Sequence, residues 1–98
     1  MDIEFELGGL LFRWNAVKAE TNHAKHGVHF EAAAEAFFDV DFRLTDATRS
    51  DEARDAILGR NYAGQLLFIV HIEIEVDAVR MISARHATSQ ERMFYGHS

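Results

Sequence analysis

The chain has 98 residues, of which 48% are hydrophobic, and it contains no proline and no cysteine. This is the size of one ordinary domain, and the composition supports a hydrophobic core without disulfides, which excludes intrinsic disorder and cysteine-based zinc modules. The longest apolar run, residues 66–72, is interrupted by His71 and is far shorter than the roughly 20 residues of a membrane-spanning helix. We therefore expect one domain over residues 1–98 that does not enter a membrane. A cytoplasmic location is expected because no charged and apolar leader follows Met1.

The net charge is −6, which argues against a protein whose whole surface binds nucleic acid. The basic side chains are unevenly distributed: residues 1–42 carry three against eight acids, whereas residues 43–98 carry seven arginines, no lysine and eight acids. The planar guanidinium of arginine suits bidentate contacts with phosphate or carboxylate, but ordinary ion pairs use it too. The second half is therefore either a ligand-binding surface or a surface of salt bridges.

The N-terminal third predicts a hairpin followed by a helix. Residues 3–7 alternate apolar and acidic side chains, and the pair Gly8-Gly9 separates them from a second apolar run, which is typical of a β-hairpin. Asn15 is a favourable N-cap for a helix over residues 16–26, and Gly27 provides a left-handed stop. This helix has few apolar positions, so we expect it to be largely exposed.

A second helix is predicted over residues 30–38, where apolar side chains recur at the spacing of a buried stripe. Phe37 and Phe38 belong to that stripe and are expected in the core. Trp14 ends the second strand directly before the helix cap, and core packing is preferred for it over base stacking.

Four strands are predicted after these helices, at about 42–46, 53–61, 65–75 and 79–86. Short turns between them indicate an antiparallel sheet, and in the third strand the even-numbered residues from Leu66 to Ile74 are expected to face the core. Thr88-Ser89-Gln90-Glu91 is a capping box, so a last helix is predicted to about Tyr95. The fold class is therefore α+β, an antiparallel sheet with two helices after an N-terminal hairpin and one C-terminal helix.

Several blocks of residues, taken together, resemble a known family. The blocks are Phe12-Arg13-Trp14-Asn15, Lys18-Ala19, Asn22, Lys25-His26-Gly27-Val28, Phe30-Glu31, Phe38-Asp39, Arg54, Leu58-Gly59, Arg80-Met81-Ile82-Ser83-Ala84-Arg85 and Glu91-Arg92 with Tyr95. Their order and separation are similar to those of the BrnT family of type II toxins over nearly the whole chain. The resemblance implies a RelE-like α+β fold, a ribonuclease activity that stops translation, and a cognate BrnA-like antitoxin through which alone the complex would reach operator DNA.

Cleavage of RNA without a metal needs three groups. A base removes the proton of the 2′-hydroxyl, a cation stabilises the phosphoryl oxygens, and an acid protonates the leaving 5′-oxygen. Histidine suits the proton transfers and arginine suits the phosphate, and no cofactor is expected. No metal is expected either, because Gly27 breaks the helix between His26 and His29 and no carboxylate completes a set of ligands with them and His23. The candidate catalytic residues are Lys25, His26, Arg54, His71, Arg80 and Arg85.

Three of these candidates have simple structural alternatives. Lys25 and His26 end the first helix, where the macrodipole favours a cation in any case. His71 interrupts an apolar strand, where a single histidine is more often a hydrogen-bonded residue at the edge of the core than a catalyst. Both readings stay open from the sequence.

The arginines also allow two interpretations. Arg80 and Arg85 are five residues apart on one strand and point to opposite faces unless a bulge intervenes. Their structural alternative is an ion pair with Glu73, Glu75 or Glu91, and that of Arg54 is a solvated strand edge.

A non-catalytic interaction module is the alternative to a nuclease. Residues 73–77 contain three acids and no base, where members of the family usually carry a basic residue. In either case we expect carboxylates of the antitoxin to contact a surface around Arg54, Arg80, Arg85 and Arg92, with association slowing as salt rises. The helix at residues 88–95 has few apolar side chains and is expected to be the part that moves.

Overall fold

The computed structural model describes residues 1–46 and 54–96. The elements in chain order are β1 (Asp2–Leu7), β2 (Leu10–Asn15), α1 (Ala16–His26), α2 (Phe30–Ala34) continued by a 3-10 turn (Glu35–Phe38), β3 (Arg43–Asp46), β4 (Asp55–Arg60), β5 (Leu66–Glu75), β6 (Ala78–His86) and α3 (Ser89–Gly96). The predicted α+β class is confirmed, and the predicted strands begin and end within two residues of these bounds. Residue 53, the first of one predicted strand, lies outside the described ranges.

The strands form one sheet in the order β1-β2-β6-β5-β4-β3. Each pair is antiparallel except β2 with β6, which run parallel from Leu11 opposite Ala78 to Arg13 opposite Arg80. The expectation of a purely antiparallel sheet is wrong at this pair. Its strands are not joined by a turn, because two helices and three strands lie between them in the chain, and a crossover connection of this kind permits parallel pairing.

The helices α1 and α2 cover one face of the sheet and form the core with it. On β5 the core face carries Leu67 and Ile69, so the expected even-numbered face is wrong; Ile74 of that set is 38% exposed. Both faces of β5 are apolar over most of its length, and alternation therefore could not distinguish them. The buried core residues are Phe12, Trp14, Val28, Phe30, Ala33, Ala34, Ala36, Ile57, Leu67, Ile69, Val79, Met81 and Ala84.

The ends of α1 follow local signals. The Asn15 side chain accepts hydrogen bonds from the backbone N–H groups of Val17 (3.0 Å) and Lys18 (3.1 Å), as expected of an N-cap. At the other end Gly27 has φ 71°, and its N–H donates to the His23 carbonyl. Both predicted ends of this helix are confirmed.

The second helix changes character part-way along. It is α-helical to Ala34 and then tightens into the 3-10 turn that begins at Glu35. Phe37 packs against the core, with its ring 5.1 Å from that of Phe12 in an edge-on arrangement, whereas Phe38 is 38% exposed. The placement of Phe38 in the core was wrong because a 3-10 turn rotates side chains by about 120° per residue instead of 100°.

Helix α3 is attached to the sheet by polar contacts and has no buried residue. The capping box is confirmed, because the Thr88 N–H donates to Glu91 Oε1 (2.9 Å) and the Glu91 N–H donates to the Thr88 hydroxyl (3.2 Å). Near its end, the Tyr95 hydroxyl donates to Asp39 Oδ2 at 2.5 Å. Burial acts to raise the pKa of Asp39, but this bond and two from backbone N–H groups outweigh it and lower the pKa.

Across residues 1–46 and 54–96, no helix combines the length and apolar character needed to cross a membrane.

Candidate active site

A bulge in β6 decides which side chains share a face of the sheet. The pairing of β5 with β6 shifts between Val70 and His71, and Ile82 is the extra residue on β6. Without the bulge, Arg80 and Arg85 would point to opposite faces. With it, both lie on the face opposite α1 and α2.

A cavity of about 300 Å³ opens where α1 packs beside β6; we call it the basic cavity. It contains both lysines of the chain, Lys18 and Lys25, and residues 1–46 and 54–96 contribute no carboxylate to its lining. Lys18, Asn22 and Lys25 are spaced at i, i+4 and i+7, which brings them to one side of the helix. The lining residues are Lys18, Thr21, Asn22, Lys25, His26, Arg54, Ile82 and Ser83.

Asn22 fixes α1 to β6. Its side-chain Oδ1 accepts from the Ala84 N–H (3.0 Å), and its Nδ2 donates to the carbonyls of Ala84 (2.9 Å) and Val28 (3.1 Å). The parallel pairing with β2 stops at Arg80, so the amide of Asn22 takes the place of a neighbouring strand farther along β6. This buried side chain therefore sets the position of the cationic side of α1 relative to the strand.

Three of the six residues predicted from the sequence lie together in the basic cavity. They are Lys25 and His26, in the last turn of α1, and Arg54, which directly precedes β4. Lys25 is exposed, and no carboxylate within residues 1–46 and 54–96 forms an ion pair with it. Together with Lys18, the cavity thus holds one histidine, two lysines and one arginine within one cleft.

The other two predicted arginines are engaged by carboxylates. Arg80 donates to Asp2 at 2.8 Å, which raises the pKa of the arginine and lowers that of the aspartate. Arg85 donates two hydrogen bonds to Glu91, at 2.8 and 2.9 Å, and its guanidinium lies 4.2 Å from the centre of the Phe68 ring. Glu91 was among the partners expected for these arginines, whereas Asp2 was not.

His71 lies on the core face of β5 and does not line the basic cavity. It is 5% exposed, and its ring meets that of Phe37 edge-on at 4.9 Å. Burial lowers the pKa of His71, although the carboxylates of Asp55 and Glu73 act in the opposite direction. This shift favours the neutral form of the side chain.

Sequence reasoning did not select five of the lining residues: Lys18, Thr21, Asn22, Ile82 and Ser83. Polar residues on one side of an exposed helix are usually a solvated surface, so their spacing alone does not indicate a site. Asn22 gave no separate signal, because its burial against β6 is visible only in the structure.

The comparison with known families decides the identity. The model of the ribonuclease toxin BrnT of type II toxin-antitoxin systems matches residues 14–91. This chain belongs to the BrnT family. Its fold is also similar to the crystal structure of the Brucella abortus ribonuclease toxin BrnT, with 27% identity and a TM-score of 0.60, covering 78% of this chain and 94% of that one. No curated protein matches. The family expected from the sequence is confirmed, and the matched range contains all lining residues of the basic cavity.

Proposed function

We propose that this BrnT family member cleaves RNA without a metal, inhibits translation in this way, and carries out the reaction in the basic cavity. The observation that carries the proposal is the meeting of Lys25, His26 and Arg54 in one cleft, to whose lining residues 1–46 and 54–96 contribute no carboxylate. The positive charges of this cleft attract a phosphate that enters it.

Each of the three residues has a chemical role in the proposed reaction. His26 takes the proton of the 2′-hydroxyl, whose oxygen forms a bond to phosphorus, and Arg54 stabilises the charge on the phosphoryl oxygens. The bond to the 5′-oxygen then breaks, and the ammonium of Lys25 gives that oxygen a proton. The products are a 2′,3′-cyclic phosphate and a 5′-hydroxyl end.

Expression of the chain alone is the direct test of this function. We expect growth arrest with loss of intact RNA, and rescue of both by a cognate antitoxin. The matched control is the double variant Lys25→Ala with Arg54→Ala, which should express without either effect. Growth without RNA loss, together with retained antitoxin binding, would favour the interaction module, whose supporting observation is the exposed acidic segment at residues 73–77.

In this proposal Arg85 secures α3 to the sheet. We expect Arg85→Ala to cost about 1–2 kcal/mol of stability, since it removes a half-exposed ion pair and a cation–π contact, and to lower the melting temperature by several degrees. The rate of RNA cleavage by the folded variant should be unchanged. Glu91→Gln is the control and should lower the melting temperature similarly. Loss of cleavage without a change in melting temperature would instead return Arg85 to the catalytic residues, as predicted from the sequence.

The family implies a cognate antitoxin, and we propose that its carboxylates cover the basic cavity. Arg80 and Arg85 already hold Asp2 and Glu91, so they offer less attraction to a partner than the two lysines. Association with the antitoxin should therefore slow as salt rises, and Lys18→Ala with Lys25→Ala should slow it at low salt more than Arg80→Ala with Arg85→Ala. Stopped-flow measurements compare the two variants. Equal rates for wild type and the lysine variant at low salt would point to a hydrophobic interface.

A further inference from the structure

Lys18 lies at a position in α1 where its positive charge does not stabilise the helix. It lies in the first turn of the helix, where the positive end of the macrodipole disfavours a cation and where no acidic residue is present. No carboxylate of the described ranges pairs with its ammonium. By contrast, His23, Lys25 and His26 stand in the last turn, where a positive charge stabilises the helix.

Lys18 and Lys25 lie on the same side of α1, nearly two helical turns apart. Seven residues of α-helix advance about 10.5 Å, whereas neighbouring nucleotides of a stacked strand advance only about 3.4 Å. The like charges of Lys18 and Lys25 also repel each other, so their ammonium groups favour separate anions. Both nevertheless line the same basic cavity.

We propose that Lys18 binds a second phosphate of a single-stranded RNA whose scissile phosphate lies at Lys25 and Arg54. This assignment rests on the proposed function. The cavity is a cleft between a helix and the edge of a strand, which admits an unpaired strand more readily than a duplex. Lys18 then contributes to the binding of longer RNA and not to that of a dinucleotide, whose one phosphate is the scissile one.

The experiment measures binding of uncleavable 2′-O-methyl RNA, a dinucleotide and a hexanucleotide, over a range of salt concentrations. We expect Lys18→Ala to weaken hexanucleotide binding by about 5- to 10-fold and to reduce the slope of log K against log salt by about 0.7, the value for one phosphate contact on a single strand. Dinucleotide binding should be unchanged. Lys18→Arg should restore the slope, and Arg92→Ala, which removes an exposed charge outside the cavity, should behave as wild type.

The outcomes separate this inference from the function on which it rests. An unchanged hexanucleotide slope in Lys18→Ala overturns the role of Lys18 alone if Lys25→Ala still weakens dinucleotide binding. Equal weakening of both lengths would place Lys18 at the scissile phosphate and overturn the second contact. If wild type binds neither RNA, the proposed function and the inference fail together.

Discussion

Lys25→Ala is expected to slow RNA cleavage by the purified protein by about 100- to 1,000-fold. The variant loses a cation placed where negative charge develops in the transition state, and losses of this size are typical when one such group is removed. The fold should survive, because Lys25 is exposed and contributes only a helix-end interaction of about 0.3–1 kcal/mol. Single-turnover kinetics at saturating protein measure the effect.

Two further variants give this prediction its controls. Lys25→Arg keeps the charge but binds its proton too tightly to release it at neutral pH, so RNA binding should be retained while cleavage stays slow. Arg92→Ala removes an equal charge from α3 and should cleave at the wild-type rate. If Lys25→Ala cleaves within about threefold of wild type, a margin below 1 kcal/mol, the basic cavity is not the active site.

Asn22→Ala is expected to destabilise the protein by about 2–5 kcal/mol and to abolish cleavage. The substitution removes three hydrogen bonds and leaves the buried N–H and carbonyl of Ala84 without partners, each at a cost of about 1–3 kcal/mol. It also releases the side of α1 that carries the cations. Urea denaturation should show a lower midpoint with an unchanged slope.

The neighbouring residue on the same helix provides the matched control. The Thr21 hydroxyl donates only to the Val17 carbonyl one turn earlier, so Thr21→Ala should shift the midpoint by far less. Asn22→Asp keeps an acceptor for the Ala84 N–H but turns a buried carboxylate oxygen toward the carbonyls of Ala84 and Val28, so it should destabilise the protein at least as much as Asn22→Ala. An unchanged midpoint in Asn22→Ala would show that the amide does not anchor the helix.

The parts of the fold that could be predicted depend on contacts between residues close in sequence. The cap at Asn15, the stop at Gly27 and the capping box of Thr88 with Glu91 each involve partners within four residues. The parallel pairing of β2 with β6 has no local signal, because its strands are about 65 residues apart. The core face of β5 was missed because both of its faces are largely apolar.

The same distinction applies to the site. Lys25, His26 and Arg54 were selected because histidine and cationic side chains suit the chemistry of RNA cleavage, and the fold brings them together. The bulge at Ile82 reverses the parity of β6 and places Arg80 and Arg85 on one face, which a count of residues along the strand cannot reveal. Lys18 and Asn22 were missed since a polar side of an exposed helix has the same pattern whether or not it lines a site.

The large separation of β2 and β6 in the sequence also affects how the protein folds while it is synthesised on the ribosome. The N-terminal hairpin and α1 are synthesised first. Strand β2 cannot pair with β6 until residues 78–80 have been made, and Asn22 cannot form its hydrogen bonds with β6 until Ala84 has been made. At about 5–20 residues per second, roughly 3–13 s of synthesis separate the two halves of this pairing. The cationic side of α1 therefore has no strand to lie against until most of the polypeptide exists. A chain released early, by a premature stop or by proteolysis of the nascent product, carries the lysines but cannot form the cavity that they line.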